Sequence, residues 1–340
     1  MSGPSPALPV TTLTSDGRMR RLGVEIEFGG LSIDEAAETV RAEVGGEIRK
    51  LGRFEVEVTG DAHGPWGIEL DAFLLKAWEQ RQEGGNALAQ RMDQLAEEAV
   101  RAAAEQIVPV EVVSPPLPMD QLVVVNRVIV RLGEAGARGT AERPTDAFGM
   151  QLNPELPATD VDTILRYFRA FLCLEDWLRA RSEIDLTRRL TFFADPFPKH
   201  YVRQVVSTGY APSIGRLIDD YLAANPTRNR SLDLLPLFAH LDEPRVRKVV
   251  DDALIKARPT LHYRLPNSHV GKAGWSLDAA WQDWLVVEHL AAQARSLSEL
   301  CETYSSFLSR LVQRLTGDWS SVCDLWLRRN GFRDHDAPPP

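Results

Sequence analysis

The sequence predicts an α+β fold built on one mostly antiparallel sheet. Strand-like and helix-like segments come mixed, and the strict strand–helix–strand alternation of a parallel sheet fails in the second half of the chain. Four strand-like segments also alternate apolar residues with carboxylates, the period of a strand that buries one face only.

The first of these is "GVEIEF" (23–28), where Val24, Ile26 and Phe28 share one face and Glu25 and Glu27 the other. "GGLSIDEAAETVRAEVGG" follows as a short helix, with Ser32 and Glu35 at capping-box spacing and Gly45-Gly46 as the stop. "EIRKLGRFEVEVTG" reads as strand material bent at Gly52, and "GIELDAFLL" as another strand. Residues 85–107 keep a helical period through Leu88, Met92, Leu95, Ala99 and Ile107. "VPVEVVSPPL" is a strand stopped by Pro115-Pro116. Helices are expected over 119–135 and 160–181, the second with Ile164, Leu165, Phe168, Phe171 and Leu172 on its apolar side. Between them "FGMQLNPELP" is a short strand ended by Pro154. Residues 186–260 read as loops and short helices with a basic loop, "NPTRNR". "PTLHYRLPN" is the last strand, and 278–330 is helical and Trp-rich.

Bulk properties narrow the partners. The chain has 340 residues, enough to bury a sizeable core, and a net charge of −9, which argues against broad binding to nucleic acid or anionic membranes. No run approaches the ~18 apolar residues of a membrane span. The N-terminus has neither the basic nor the apolar region of a secretory signal. Cys173, Cys301 and Cys323 are far apart in sequence without a C-x-x-C pair, so they read as free buried thiols in a reducing cytoplasm. One domain is expected over 19–332, with a helical part from about 278 to 330 and flexible tails at 1–18 and 333–340.

The carboxylates raise a question of chemistry. Glu55 and Glu57 in "FEVEV", Glu69 and Asp71 in "GIELDA", and Glu111 in "PVEVV" join Glu25 and Glu27 opposite an aliphatic face. Like charges facing each other across strands are destabilising, and a divalent cation with hard oxygen ligands removes that repulsion. The alternative is a wet outer face on which Glu55 and Glu57 pair with Arg49, Lys50 and Arg53. Phosphate loops, dinucleotide fingerprints and nucleophile elbows are absent. His63 and His269 sit in turn-like segments and read as turn or surface residues.

In this order, "GVEIEF", "WGIELDA", "VEVVSPPL", "FGMQLNPE" and "RPTLHYRLPN", followed by a Trp-containing helix, resemble the putative amidoligases over residues 20–290. That family belongs to the carboxylate–amine ligases that share the fold of glutamine synthetase and glutamate–cysteine ligase. The resemblance implies a curved sheet with an acidic concave face and helices on the other side. It implies an ATP-dependent ligase in which ATP turns a carboxylate into an acyl phosphate and an amine displaces the phosphate. The implied metal ligands for Mg²⁺ or Mn²⁺ are Glu25, Glu27 and Glu111, with Asp71, Glu69 and His262. Glu27, Glu111 and Arg264 carry the chemistry, and ATP as co-substrate meets Arg264, Asn267, Gln151, Asn153, Arg258, Arg228 and Arg230. Partners would be a small-molecule or peptide carboxylate and an amine. Two departures stand out. Gln151 and Asn153 replace histidines common in the superfamily, and His262 replaces the glutamate of an E-x-R strand. A phosphotransferase of the same fold, or a degenerate member that only binds a ligand or peptide, are the alternatives.

Overall fold

The computed structural model describes residues 5–70, 108–140, 148–182, 194–310 and 317–333. Asp71, the expected helix at 85–107 and the C-terminal tail from 334 lie outside these residues. The chain divides into two compact units that interleave along the sequence. One comprises residues 1–5, 21–152 and 266–277, and the other residues 6–20, 153–265 and 278–340. Interleaving explains why no Gly- or Pro-rich linker announces the division.

Among the described residues, the first unit is a sheet with two helices packed on it. Its strands are β1 (Arg21–Phe28), β2 (Ile48–Lys50), β3 (Glu55–Val58), β4 (Trp66–Leu70), β5 (Val110–Val113) and β6 (Leu117–Pro118), with the first residues of β7 (Met150–Pro154). They run in the order β2-β3-β4-β5-β1-β7, and β6 pairs with β1 as well. The registers of β2 with β3, β3 with β4, β4 with β5, and β5 with β1 are antiparallel and unbroken. The sheet is large, mostly antiparallel and open. Where the resemblance implies a curved sheet, these strands form an uncurled one: the four ladders run without an added residue, and the one-residue offset along β1 falls beyond them, between β5 and β6. Chain pairing also resumes beyond Pro115-Pro116: Leu117 and Pro118 pair with Leu22 and Arg21.

Helix α1 (Ile33–Val44) has the predicted capping box, with Ser32 and Glu35 each satisfying the other's backbone N–H, and Gly45 ends it at φ 79°. It buries Ile33, Ala36, Ala37 and Val40 against β3, β4 and α2 (Val123–Ala135). The apolar strand residues Leu22, Val24, Ile26, Phe28, Val56, Ile68 and Val112 are all buried. Strand alternation then puts the carboxylates on the opposite face.

The second unit is mostly helical: α3 (Val161–Arg181), α4 (Lys199–Val206), α5 (Ile214–Ala224), α6 (Leu235–Arg247), α7 (Asp278–Ala292), α8 (Ala294–Ser309) and α9 (Trp319–Arg329). Strands β8 (Leu232–Asp233) and β9 (His262–Tyr263) pair antiparallel within it. α3 is buried along its length and packs against α4, α7, α8 and α9.

The segment expected to be a flexible N-terminal tail is held from Pro6 onward. Trp281 Nε1–H donates to Ala7 O at 2.7 Å, and Ser15 N–H to Pro157 O at 2.8 Å. Arg20, fully buried, makes a two-pronged ion pair with Glu288 at 2.8 and 2.9 Å and donates to Thr11 O and Glu155 O. Tyr167 and Trp284 complete the shell of Glu288.

Candidate active site

The registers line up carboxylates across four strands. Glu55 faces Glu69, Glu69 faces Glu111, and Glu111 faces Glu27. Adjacent strands lie about 4.8 Å apart, so each of these charges meets the next at close range. Burial deepens along the row: Glu55 is exposed, Glu69 and Glu27 are half-buried, and Glu111 is only 7% exposed. Glu25 lies in the neighbouring row, opposite Val113 and then Gly67 and Glu57. At the outer end of that second row Arg49 pairs with Glu57.

Glu27 sits where β1 meets β7. Gly149 N–H donates to its Oε2 at 2.7 Å and Gln151 Nε2 donates to its Oε1 at 2.8 Å. The same Gln151 nitrogen lies 3.5 Å from Glu111 Oε1. Only the N–H₂ end of the amide suits this position, since its oxygen would oppose two carboxylates. Gln151 thus spans two facing acids.

Two residues along β7, Asn153 meets a different environment. Arg258 Nη2–H donates to Asn153 Oδ1 at 2.6 Å and to His262 Nδ1 at 2.8 Å. Because a guanidinium only donates, His262 accepts at Nδ1 and carries its proton on Nε2. Burial, then the charges of Arg264, Arg258 and Arg228, push the His262 imidazole well below its ordinary value, so it is neutral. Asp233, opposite His262 in the β8–β9 ladder, is buried, lies 4.0 Å from Arg264, and accepts from Leu235 N–H at 2.8 Å. Burial pushes its carboxyl up to about 6, against the pull of Arg264. Arg228 also lies 3.6 Å from Asp252. Three guanidiniums around one buried acid make this cluster electropositive.

The remaining expected residues are placed as follows. Asn267 is buried and bridges to Gly149 in the antiparallel sense. Arg230 donates to Asn225 Oδ1 and to Pro196 O, both at 2.8 Å, and covers the Phe197 ring; these contacts are those of a loop-fixing residue. His63 contacts Gln121 and His269 contacts Thr140 O, as turn residues do.

Over the described residues, no group of three or more His, Cys, Asp and Glu side chains comes together closely enough to hold a metal by itself. The donor chemistry of the glutamate row still fits Mg²⁺, which is held by one or two carboxylates with waters and substrate phosphates rather than by an all-protein cage. His262 does not fit: its Nδ1 is taken by Arg258, and three guanidinium charges surround it. Asp233 escapes sequence analysis because a two-residue strand inside "SLDLL" has no period to detect.

The sequence profile of a family described as putative amidoligase enzyme matches residues 18–286. The chain belongs to this family. No curated protein and no solved structure matches it. Family membership makes a ligase the activity to be explained. No helix among the described residues is long and apolar enough to cross a membrane.

Proposed function

We propose that this chain is an ATP- and Mg²⁺-dependent carboxylate–amine ligase acting in the cytoplasm through an acyl phosphate. The observation that carries the reading is the in-register row of Glu55, Glu69, Glu111 and Glu27, in a chain whose family is one of amidoligases. Glu27 and Glu111 would hold the cation with help from Glu69, with Glu25 in the neighbouring row; Asp71 lies outside the described residues. When bound, the metal would neutralise the triphosphate and polarise its terminal phosphoryl group.

The chain's own groups divide the remaining work. Arg264, Arg258 and Arg228 present planar forks of donors suited to phosphate or carboxylate oxygens. Arg264 would meet charge that grows on the transferring phosphoryl group, the position where one donor has its largest effect on rate. Arg258 fixes Asn153 and the His262 tautomer, so that His262 acts as a neutral donor toward an anion rather than as a metal ligand. Gln151 and Asn267 would contact substrate or nucleotide. The carboxylate gains a phosphoryl group from ATP with release of ADP; the amine nitrogen then bonds to that carbon as phosphate and a proton depart.

The test is a screen of carboxylate and amine pairs with purified protein, Mg²⁺ and ATP, reading ADP and the amide product. ADP release that needs both substrates supports the ligase. Release without an amine, leaving a stable phosphorylated product, would indicate a phosphotransferase. Failure to bind Mg²⁺–ATP would leave only a binding protein.

A further inference from the structure

The second unit gathers all three cysteines, which are scattered along the sequence, around one turn of α3. Cys173 on α3 and Cys301 on α8 are buried with their sulfurs 3.7 Å apart. Cys323, on α9, instead directs its thiol to the Cys173 carbonyl at 3.7 Å. Trp319 Nε1–H donates to that same carbonyl at 2.8 Å, which fixes α9 to this turn of α3. The cluster is therefore asymmetric: two thiols face each other, and the third faces a backbone oxygen. α8 and α9 each pack on α3, so the geometry belongs to the packed interior.

We propose that Cys173 and Cys301 form an oxidisable pair that closes a single disulfide between α3 and α8 when the protein meets a peroxide, leaving Cys323 reduced. The sulfurs are in contact already and must approach to about 2.05 Å, a change that side-chain rotation and a small helix shift can supply. The two thiols differ in the direction needed. The S–H of Cys173 and the charge of Arg169 hold the Cys301 thiol below its ordinary value, while burial holds Cys173 well above. Cys301 is then the sulfur that attacks and Cys173 the one that resolves.

The chemistry balances with the peroxide as the only co-reactant. The Cys301 thiolate attacks the distal peroxide oxygen, the O–O bond breaks, and the alcohol or water leaves with the proton, giving a sulfenic acid. Cys173 sulfur then attacks Cys301 sulfur, the S–O bond breaks, and water departs with the Cys173 proton. Two thiols give up two electrons and two protons, and the peroxide takes them. Because both sulfurs are buried, the oxidant reaches them by local opening, so the step is slow and specific rather than immediate.

The experiment uses the full chain, exposed to hydrogen peroxide under native conditions, quenched, denatured and assayed for thiols, with a peptide map run without reductant. The expected result is a fall from three thiols to one, a linked peptide joining Cys173 to Cys301, recovery on reduction, and a melting temperature several degrees higher, since the link closes a long loop. Cys323→Ser should keep the link, and Cys173→Ser and Cys301→Ser should lose it. Three intact thiols after exposure that oxidises a surface-cysteine control would overturn the proposal. So would a link through Cys323, or over-oxidation of Cys301 without a partner. The wild-type map stands alone if a variant fails to fold.

Discussion

Glu111 is the place where the carboxylate row can be tested without knowing any substrate. It faces Glu27 on one side and Glu69 on the other, and it is the most buried member of the row. A facing like-charged pair costs up to about 1 kcal/mol, so neutralising Glu111 relieves two pairs, roughly 1–2 kcal/mol together. Glu111→Gln keeps the shape and an acceptor oxygen for the Gln151 amide. In EDTA the variant should therefore melt about 1–3 °C above wild type. With Mg²⁺ and ATP the order should reverse. A ligand at a hundred times its dissociation constant stabilises by about 2.7 kcal/mol, and the variant should lose most of that gain. Scanning calorimetry in both buffers reads the crossing directly. A variant less stable than wild type in EDTA, or one that keeps the full gain with metal, would refute the argument that this row is held apart by charge and drawn together by a cation.

Three other outcomes are expected. Arg264→Lys should leave folding and metal-induced stabilisation nearly intact while cutting turnover by ~10²-fold or more, measured as ADP release, because lysine cannot reproduce the planar fork. Glu288→Gln should strand the buried Arg20 guanidinium and lower stability by about 3–5 kcal/mol in urea unfolding, with faster proteolysis near residues 6–20; a loss near zero would mean the N-terminal segment is not held by this pair. Asp233 is raised from 3.8 to about 6 in the folded chain, so it binds a proton there more readily than when unfolded. Its contribution is complete below pH 3.8 and is lost as pH rises through about 6, on the order of 3 kcal/mol, and the pH dependence that separates wild type from Asp233→Asn should lie in that window.

Much of the first unit is legible because its strands obey one rule. "GVEIEF", "FEVEV" and "GIEL" alternate strictly, and the structure buries the apolar set and leaves the acids together on the other face. The facing of Glu27 with Glu111 is not legible, since register is set by pairing partners distant in sequence. Hydrophobic period likewise locates α3 to within a residue, yet it says nothing of β8, whose two residues bring Asp233 opposite His262. The contacts of the N-terminal segment are illegible for a related reason. Ser, Thr and Pro composition describes this stretch in isolation, whereas residues 6–20 are held by single long-range partners, Trp281 at Ala7 and Glu288 at Arg20.

The wet face is one row of this surface, and the row proposed to hold a cation is another. Arg49 does pair with Glu57, at the end of the row where β2 forms the sheet edge and arginine can reach. The next row inward runs Glu55, Glu69, Glu111, Glu27, and its strand partners are acids at every step. Strand geometry makes these rows two residues apart on the same face, so both can exist without conflict. What distinguishes the inner row is the amide of Gln151, a neutral donor set between two carboxylates. An amide relieves part of the repulsion without adding charge, and it can turn its oxygen toward a cation that arrives. Gln151→Met should therefore cost stability in EDTA, by roughly 1–3 kcal/mol, because it leaves the Glu27 carboxylate without its amide donor. Combining it with Glu111→Gln should recover part of that loss, because the second change removes the repulsion the amide relieves. Strict additivity of the two changes in unfolding experiments would show that the amide and the carboxylates do not act on one another.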